Sequence, residues 1–260
     1  MTSWTFGGTA LSSFGKVTIL NDYMDLPSRR GENQTIPFRH GRRFVPKYYD
    51  ERRMVFGIAV VAASATALET SIDTMKALFG VRTEQVLAQT MEDTTVRNAY
   101  ATVNGSLMIE RKSDKIAMTA VEFSLSNPIF RLSTAITDNT TTINSSPKAM
   151  TVTNPGTIEE RDATIILTGP LSNTVITNST NGCVLTYTGT IASPRIVTIS
   201  TAATGEYVAT DDLGANKIGN ITHSGASALM VFNKGSNSLS IADDTHTTGT
   251  VKVTFNAPYL

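Results

Sequence analysis

The sequence predicts a mainly β chain in two parts. Residues 1–140 form an N-terminal β-sheet or sandwich domain with one packed helix, and residues 145–260 a C-terminal antiparallel β-sandwich. Three observations predict this. Apolar residues alternate with polar ones over short stretches along most of the chain, as the two faces of a strand require. Helical spacing of apolar residues occurs once, between Thr66 and Gly80. After Phe130 the composition turns rich in Ser, Thr and Asn, and brief strand-like runs recur with turns between them.

In the first part, Met54, Phe56, Ile58 and Val60 define one side of a strand, and Ile116, Met118 and Ala120 the apolar side of another. Between these strands lies "TALETSIDTMKALFG", with Leu68, Ile72, Met75, Leu78 and Phe79 on one stripe. Thr66 and Glu69 stand at capping-box spacing, and Gly80 is suited to stopping the helix. Asn104-Gly105 and the polar Lys112–Lys115 stretch read as hairpin turns. "STAITDNTTTINSSPKAM" reads as a linker or an edge region, with the domain boundary near Ser145. Beyond it the expected strands are "ATIILTGP", "NTVITNST", "CVLTYTGTI", "PRIVTIST", "GEYVAT", "NKIGNIT", "ALMVFNKG", "NSLSIAD" and "GTVKVTFNAPYL".

Charge excludes a global electrostatic partner. Lys plus Arg number 22 and Asp plus Glu 22, so no net field draws the chain to nucleic acid or an anionic membrane. Splitting at Phe130 gives 15 basic and 13 acidic side chains before it, and 7 and 9 after it. A lone Cys183 in a strand-like run cannot make an internal disulfide and reads as a buried thiol. The first residues lack the pattern of a secretory signal, and the longest apolar run, Met54–Leu68, is shorter than the ~20 residues of a membrane span. The expectation is synthesis and folding in a reducing cytoplasm.

Catalytic chemistry has little support in the sequence. His40, His223 and His246 have no partner at zinc-ligand spacing and read as turn or surface residues. Phosphate loops, dinucleotide fingerprints and nucleophile elbows are missing from the sequence. Glu206, Asp211 and Asp212 flank a hairpin-like turn, where Asp caps and solvates. Asp243, Asp244 and His246 lack the glycine and glutamate positions of a calcium loop. A sugar site generally needs an exposed aromatic platform. The second part has no Trp, and Tyr187, Tyr207, Phe232 and Phe255 fall on strands where a core role is the default. No cofactor, metal or catalytic residue is expected.

One segment stands apart. "TIPFRHGRRFVPKYYDERRMVFGIAV", Thr35–Val60, crowds Arg39, Arg42, Arg43, Lys47, Arg52 and Arg53 around two tyrosines and two prolines. Such arginines suit phosphates, a catalytic anion or a protein surface.

The same segment resembles the signature of distal tail proteins of long, non-contractile-tailed (siphovirus-type) phages, in which a Pro, then an Arg and a Gly, precede a strand entered through an Arg. Pro37, Arg39, Gly41 and Arg53 fall in those places. The single helix follows where the family has its helix, and "VEFSLSNPIF" is similar to the segment closing the family's first domain. "NPGTIEERDATIIL", "IVTIST", "KGSNSLSI" and the ending "VTFNAPYL" extend the likeness over nearly the whole chain. Departures occur at Phe38 and His40, at Lys234 before Gly235, and at Ser200, where the family has glycine, aspartate, proline and aspartate, and they bear on turn geometry more than on fold.

The resemblance implies a structural job in the virion tail tip. It implies a homohexameric ring joining the tail tube to the tip or baseplate, through which tape-measure protein and DNA pass during ejection. It also implies a galectin-like, carbohydrate-module-like second domain facing outward, and as partners the tube protein, the tape-measure protein, a tail-associated tip protein and a receptor-binding protein or host glycan. Tight nucleic-acid binding is not expected, since DNA must slide through a tube. A glycan-binding host adhesin and a cell-wall-degrading tip enzyme are the alternatives. Under the ring reading Pro37, Arg39, His40, Gly41, Arg42, Arg43 and Arg53 are the candidate subunit-interface residues, because Arg is the preferred interface cation.

Overall fold

The computed structural model describes residues 2–21, 26–38, 40–45, 47–201, 206–225 and 230–260, without the side chains of residues 137 and 138. Among the described residues it is mainly β with one α-helix, and it divides into a compact unit of residues 1–131 with 260 and another of residues 132–259. The division falls before the expected boundary near Ser145. The physical reason is pairing: Ile136–Thr142 is not a linker but an edge strand hydrogen-bonded to Thr250–Phe255.

In the first unit the strands run in the order Thr9–Ala10, Ser3–Phe6, Gln85–Thr90, Val96–Ser113, Ile116–Leu125, Arg52–Val61, Lys16–Ile19, with every pairing antiparallel. The 18-residue strand Val96–Ser113 pairs with Gln85–Thr90 through its first third and with Ile116–Leu125 through the rest. It carries a register shift between Asn104 and Met108. Asn104-Gly105 is therefore a bulge, with Gly105 at φ 75°, and not the expected turn, because the ladder resumes beyond it. The chain reverses at Asp114-Lys115 instead, within the other expected turn.

The inward faces meet in an aromatic core. Phe6 and Phe123 lie 4.8 Å apart, Phe56 and Phe123 5.4 Å, and Trp4 and Phe56 5.2 Å. Helix Ala65–Phe79 adds Leu68, Ile72, Met75 and Phe79, and Phe79 stands 6.1 Å from both Phe6 and Phe123. Its cap is Ser64, whose Oγ accepts from the Ala67 amide at 3.1 Å. The expected capping box is displaced: Thr66 is already helical, and Glu69 accepts from Arg111 instead.

Strand Ile116–Leu125 presents the opposite face from the one its apolar triplet indicated. Ala117, Val121, Phe123 and Leu125 are buried, while Met118 and Ala120 are exposed. Its register against Arg52–Val61 sets this, pairing Phe123 with Met54 and Val121 with Phe56, so that large side chains share the core face.

The second unit is a sandwich of two five-stranded antiparallel sheets. One runs Ile136–Thr142, Thr250–Phe255, Thr164–Thr168, Ile196–Thr201, Tyr207–Asp211; the other runs Lys148–Asn154, Gly235–Ala242, Val175–Asn178, Cys183–Tyr187, Ile221–Gly225. Ile165, Leu167, Ile176, Leu185, Ile199, Val251 and Val253 fill the space between them, and Cys183 is buried there as a free thiol. Two expected strands differ. In "NKIGNIT" residues 218–220 make a 3₁₀ turn before strand Ile221–Gly225 begins.

"ALMVFNKG" is not a ladder strand, and residues 228 and 229 lie outside the described residues. Met230, Val231 and Phe232 are buried, joined to the body by one isolated bridge, Glu160 with Phe232. Asparagine side chains take the place of a ladder. The Val231 carbonyl accepts from Asn178 and Asn181, each at 2.8 Å, and the Phe232 carbonyl from Asn154 at 3.2 Å. An apolar run flanked by buried Asn can thus be core without being strand.

A second polar knot is Asp243, which is 3 % exposed. Its carboxylate accepts from the Ser172 amide (2.9 Å), the Thr174 hydroxyl (2.7 Å), the Thr245 amide and hydroxyl (2.9 and 2.6 Å) and the His246 amide (3.1 Å). Burial pushes this carboxyl up, but the hydrogen bonds from Thr245, Thr174, His246 and Ser172 together outweigh it and hold it below the usual carboxylate range. A depressed native pKa contributes stability that is complete above the unfolded pKa of about 3.9 and disappears as pH falls through the native one. Asp243→Asn therefore lowers the sandwich's urea midpoint at pH 7, and the gap from wild type narrows as pH drops below about 4. A gap independent of pH over the range from about 7 to about 2.5 contradicts this role.

Candidate functional site

Residues 26–51 form a two-stranded arm. Arg29–Arg30 pairs with Tyr48–Tyr49, and further out Gln34–Thr35 pairs with Arg42–Arg43. Pro27, Gly31, Pro37, Gly41 and Pro46 punctuate the segment, and no inward-facing apolar alternation ties it to a core. Most of its described residues are exposed, and those that are not, apart from Asn33 and Val45, lie at the root. At the root the Asp50 amide donates to the Ser28 carbonyl at 2.8 Å, and the Arg29 guanidinium lies 5.4 Å from the centre of the Tyr49 ring. Midway the Val45 amide donates to Asn33 Oδ1 at 3.4 Å.

The tip is residues 36–41. Phe38 sits at φ 61° with its ring fully exposed, and Gly41 at φ 90° has open space where a Cβ would stand. Pro37, His40 and Gly41 lie here and Arg42 and Arg43 on the strand that follows, whereas Arg39 lies outside the described residues. Arg42 and Arg43 are neighbours on one strand, so their side chains leave by opposite faces of the ribbon. Among the described residues neither has an ion pair or a side-chain hydrogen bond.

Arg53 is not part of this cluster. It stands on the sheet, with Nε and Nη2 donating to Glu51 Oε1 at 2.9 and 2.8 Å, and Nη1 3.6 Å from Glu122. The Glu51 hydrogen bond and charge, then the Glu122 charge, raise its pKa above the ordinary arginine value. Arg52, adjacent in sequence, faces inward and lies 5.9 Å from the Phe130 ring centre. One run of basic residues thus divides into a bare tip and a structural root.

Asp211 and His223 have structural partners. Asp211 caps a turn, accepting from the Leu213 and Ala215 amides at 3.0 and 2.8 Å. His223 is not the expected turn or surface residue. It lies half-buried on a strand, stacked on Tyr207 with ring centres 4.4 Å apart, and burial lowers its pKa. Among the described residues no group of three His, Cys, Asp or Glu is placed to hold a metal, and no helix is long and apolar enough to cross a membrane.

One surface has no counterpart in the sequence reading. The outer face of the sheet formed by Lys16–Ile19, Arg52–Val61, Ile116–Leu125 and the far half of Val96–Ser113 holds an apolar groove of about 570 Å³. Its floor is Gly57, Ala59 and Ala120, and its walls include Leu20, Met108 and Met118. Apolar residues on both faces of strand Arg52–Val61 were the available signal.

No protein-family model and no curated protein matches the sequence. Among solved structures, the crystal structure of the Dit protein of SPP1, described as a paradigm of the hub adsorption apparatus in phages infecting Gram-positive hosts, aligns with a TM-score of 0.68. The alignment covers 98% of this chain and 99% of that one at 12% sequence identity. Two structures of the phage P2 baseplate in its activated conformation, one with Ca and one with Sr, align over the full length of both chains at 8% identity with TM-scores of 0.46 and 0.45. Those two are too distant to add weight. At 12% identity what is shared with the SPP1 protein is architecture, and it is shared from end to end: this chain has a Dit-like fold.

Proposed function

We propose that this protein is a structural component of a phage tail tip, a hub that assembles head to tail into a hexameric ring between the tail tube and the tip. Tape-measure protein and DNA pass through the ring during ejection, the sandwich faces outward toward receptor-binding proteins or host glycan, and no reaction is catalysed. The first unit would act as the ring-forming portion and the second as the outward-facing one, divided at 131/132 and not at the expected 140/145. The observation that supports the reading is the end-to-end likeness in fold to the SPP1 hub protein. The bare arm adds to it. A ring needs a projecting patch on each copy and a different patch to receive it.

Replacing Arg39, Arg42 and Arg43 together by Ala tests the arm. Truncating a desolvated interface Arg costs about 2 kcal/mol, or ~30-fold in dissociation constant per interface. Because Arg42 and Arg43 are exposed on the arm, the monomer's melting temperature should hold within about a degree or two. Ring mass should collapse toward monomer. Intact rings with unchanged DNA retention point instead to a solvated hairpin, and intact rings with weaker, salt-sensitive DNA retention to a nucleic-acid site.

A further inference from the structure

The outer groove of the first unit is an unusual surface for a free protein. Strand Arg52–Val61 buries Met54, Phe56, Ile58 and Val60 on one face and turns Val55, Gly57, Ala59 and Val61 outward on the other. Met108 is 78 % exposed and Leu20 59 %. Gly57 deepens the floor, since a Cβ there would meet the Leu20 side chain at 3.2 Å. Contiguous apolar surface of this kind ordinarily has a partner, and methionine walls adapt to an inserted side chain.

The same unit carries a projection with the opposite need. Phe38 is fully exposed at the arm tip and Phe44 is 73 % exposed. Charge separates the two surfaces as well. Arg29–Lys47 holds six basic side chains and one acidic, whereas the rest of residues 1–130 holds nine basic and twelve acidic. The arm is strongly positive and the body that bears the groove is net negative, while the groove lining itself is balanced, with Lys16 and Glu110 both at its edge. From the Ser28–Asp50 root to Phe38 is ten residues, a reach of at most about 33 Å, enough to extend onto a neighbouring domain of this size.

We propose that the Phe38 tip of one copy seats in the Gly57–Ala59–Met118–Ala120 groove of the next copy. This rests on the ring reading and supplies its receiving surface. The aromatic ring fills the groove, and the flanking arginines meet the negative body around it. Donor and acceptor are different patches on the chain, so the contact propagates around a ring instead of stopping at a dimer.

Oxidation of a Phe38→Cys/Ala120→Cys variant tests the placement. The native thiol, Cys183, is buried and does not compete. The expected result is a reductant-sensitive ladder of covalent dimers, trimers and higher species, with each single-cysteine variant giving no species above a dimer. An independent variant, Ala120→Arg, fills the groove with a cation on an exposed face. It should raise the concentration for half-assembly by roughly tenfold or more without moving the melting temperature. Three results overturn the proposal while leaving the ring intact: wild-type rings without a ladder, as a groove reserved for another tail protein would give; a cross-linked species that remains monomeric, meaning the arm seats on its own chain; and unaltered assembly of a folded Ala120→Arg variant. Wild-type protein that stays monomeric at the highest attainable concentration overturns the ring reading, and the proposal with it.

Discussion

Replacing Phe123 by alanine should destabilise the first unit by about 4 kcal/mol, enough to unfold most marginal domains. Phe123 is fully buried and touches the aromatic residues that join the structural layers: Phe6 at 4.8 Å, Phe56 at 5.4 Å and Phe79 at 6.1 Å. Its loss removes transfer energy and leaves a cavity lined by rigid rings, which cannot collapse into it cheaply. The chain has one tryptophan, Trp4, stacked edge-on against Phe56 within this unit, so its fluorescence reports the first unit alone. In urea the Trp4 transition should move to markedly lower denaturant. If the first unit folds as a ring-forming module, assembly is lost with that transition, while far-ultraviolet circular dichroism retains the sandwich's β signal at the same urea concentration. A Trp4 midpoint within error of wild type contradicts the assigned core.

Asn237→Leu is expected to lower the stability of the sandwich by roughly 3 kcal/mol. Asn237 is fully buried, yet its amide nitrogen donates to the carbonyls of Asn233 (2.8 Å), Gly235 (3.1 Å) and Val152 (3.3 Å). Its oxygen accepts from the Asn233 amide at 2.8 Å and from Asn178 at 3.3 Å. Leucine has similar volume and gains on the order of 2 kcal/mol of apolar burial. It also strands several buried polar groups, each at about 1–3 kcal/mol, so the polar loss outweighs the gain. The Asn233 and Asn178 partners should loosen next, releasing the Val231 carbonyl that Asn178 and Asn181 hold. Denaturation followed by circular dichroism checks this. A Leu variant as stable as wild type, with amide protons at residues 230–233 still protected from exchange, would mean that the asparagines only decorate a core held by Met230, Val231 and Phe232.

Several elements are legible in the order of residues alone. The helix can be read because Leu68, Ile72, Met75 and Phe79 repeat at helical spacing, a signal local to the chain. The sandwich can be read because alternation as in Val251, Val253 and Phe255 needs only a buried and a wet face. The bareness of the arm tip follows from its Pro, Gly and Arg content, which can fold into little else. Where the reading strays, two faces or two partners compete and only register chooses between them. Ile116, Met118 and Ala120 form as apolar a triplet as a core needs, but pairing with Arg52–Val61 turns Phe123 and Val121 inward. Ser64 displaces Thr66 as the helix cap, and Glu69 goes to Arg111. Arg52 and Arg53, alike in sequence, part to opposite faces of one strand, so that one lies against Phe130 and the other pairs with Glu51. Local periodicity by itself determined which elements exist, because helix and strand periods are properties of neighbouring residues. Tertiary pairing alone decided which face is core and where the groove opens, because a one-residue change of register exchanges the two faces of a strand at almost no local cost.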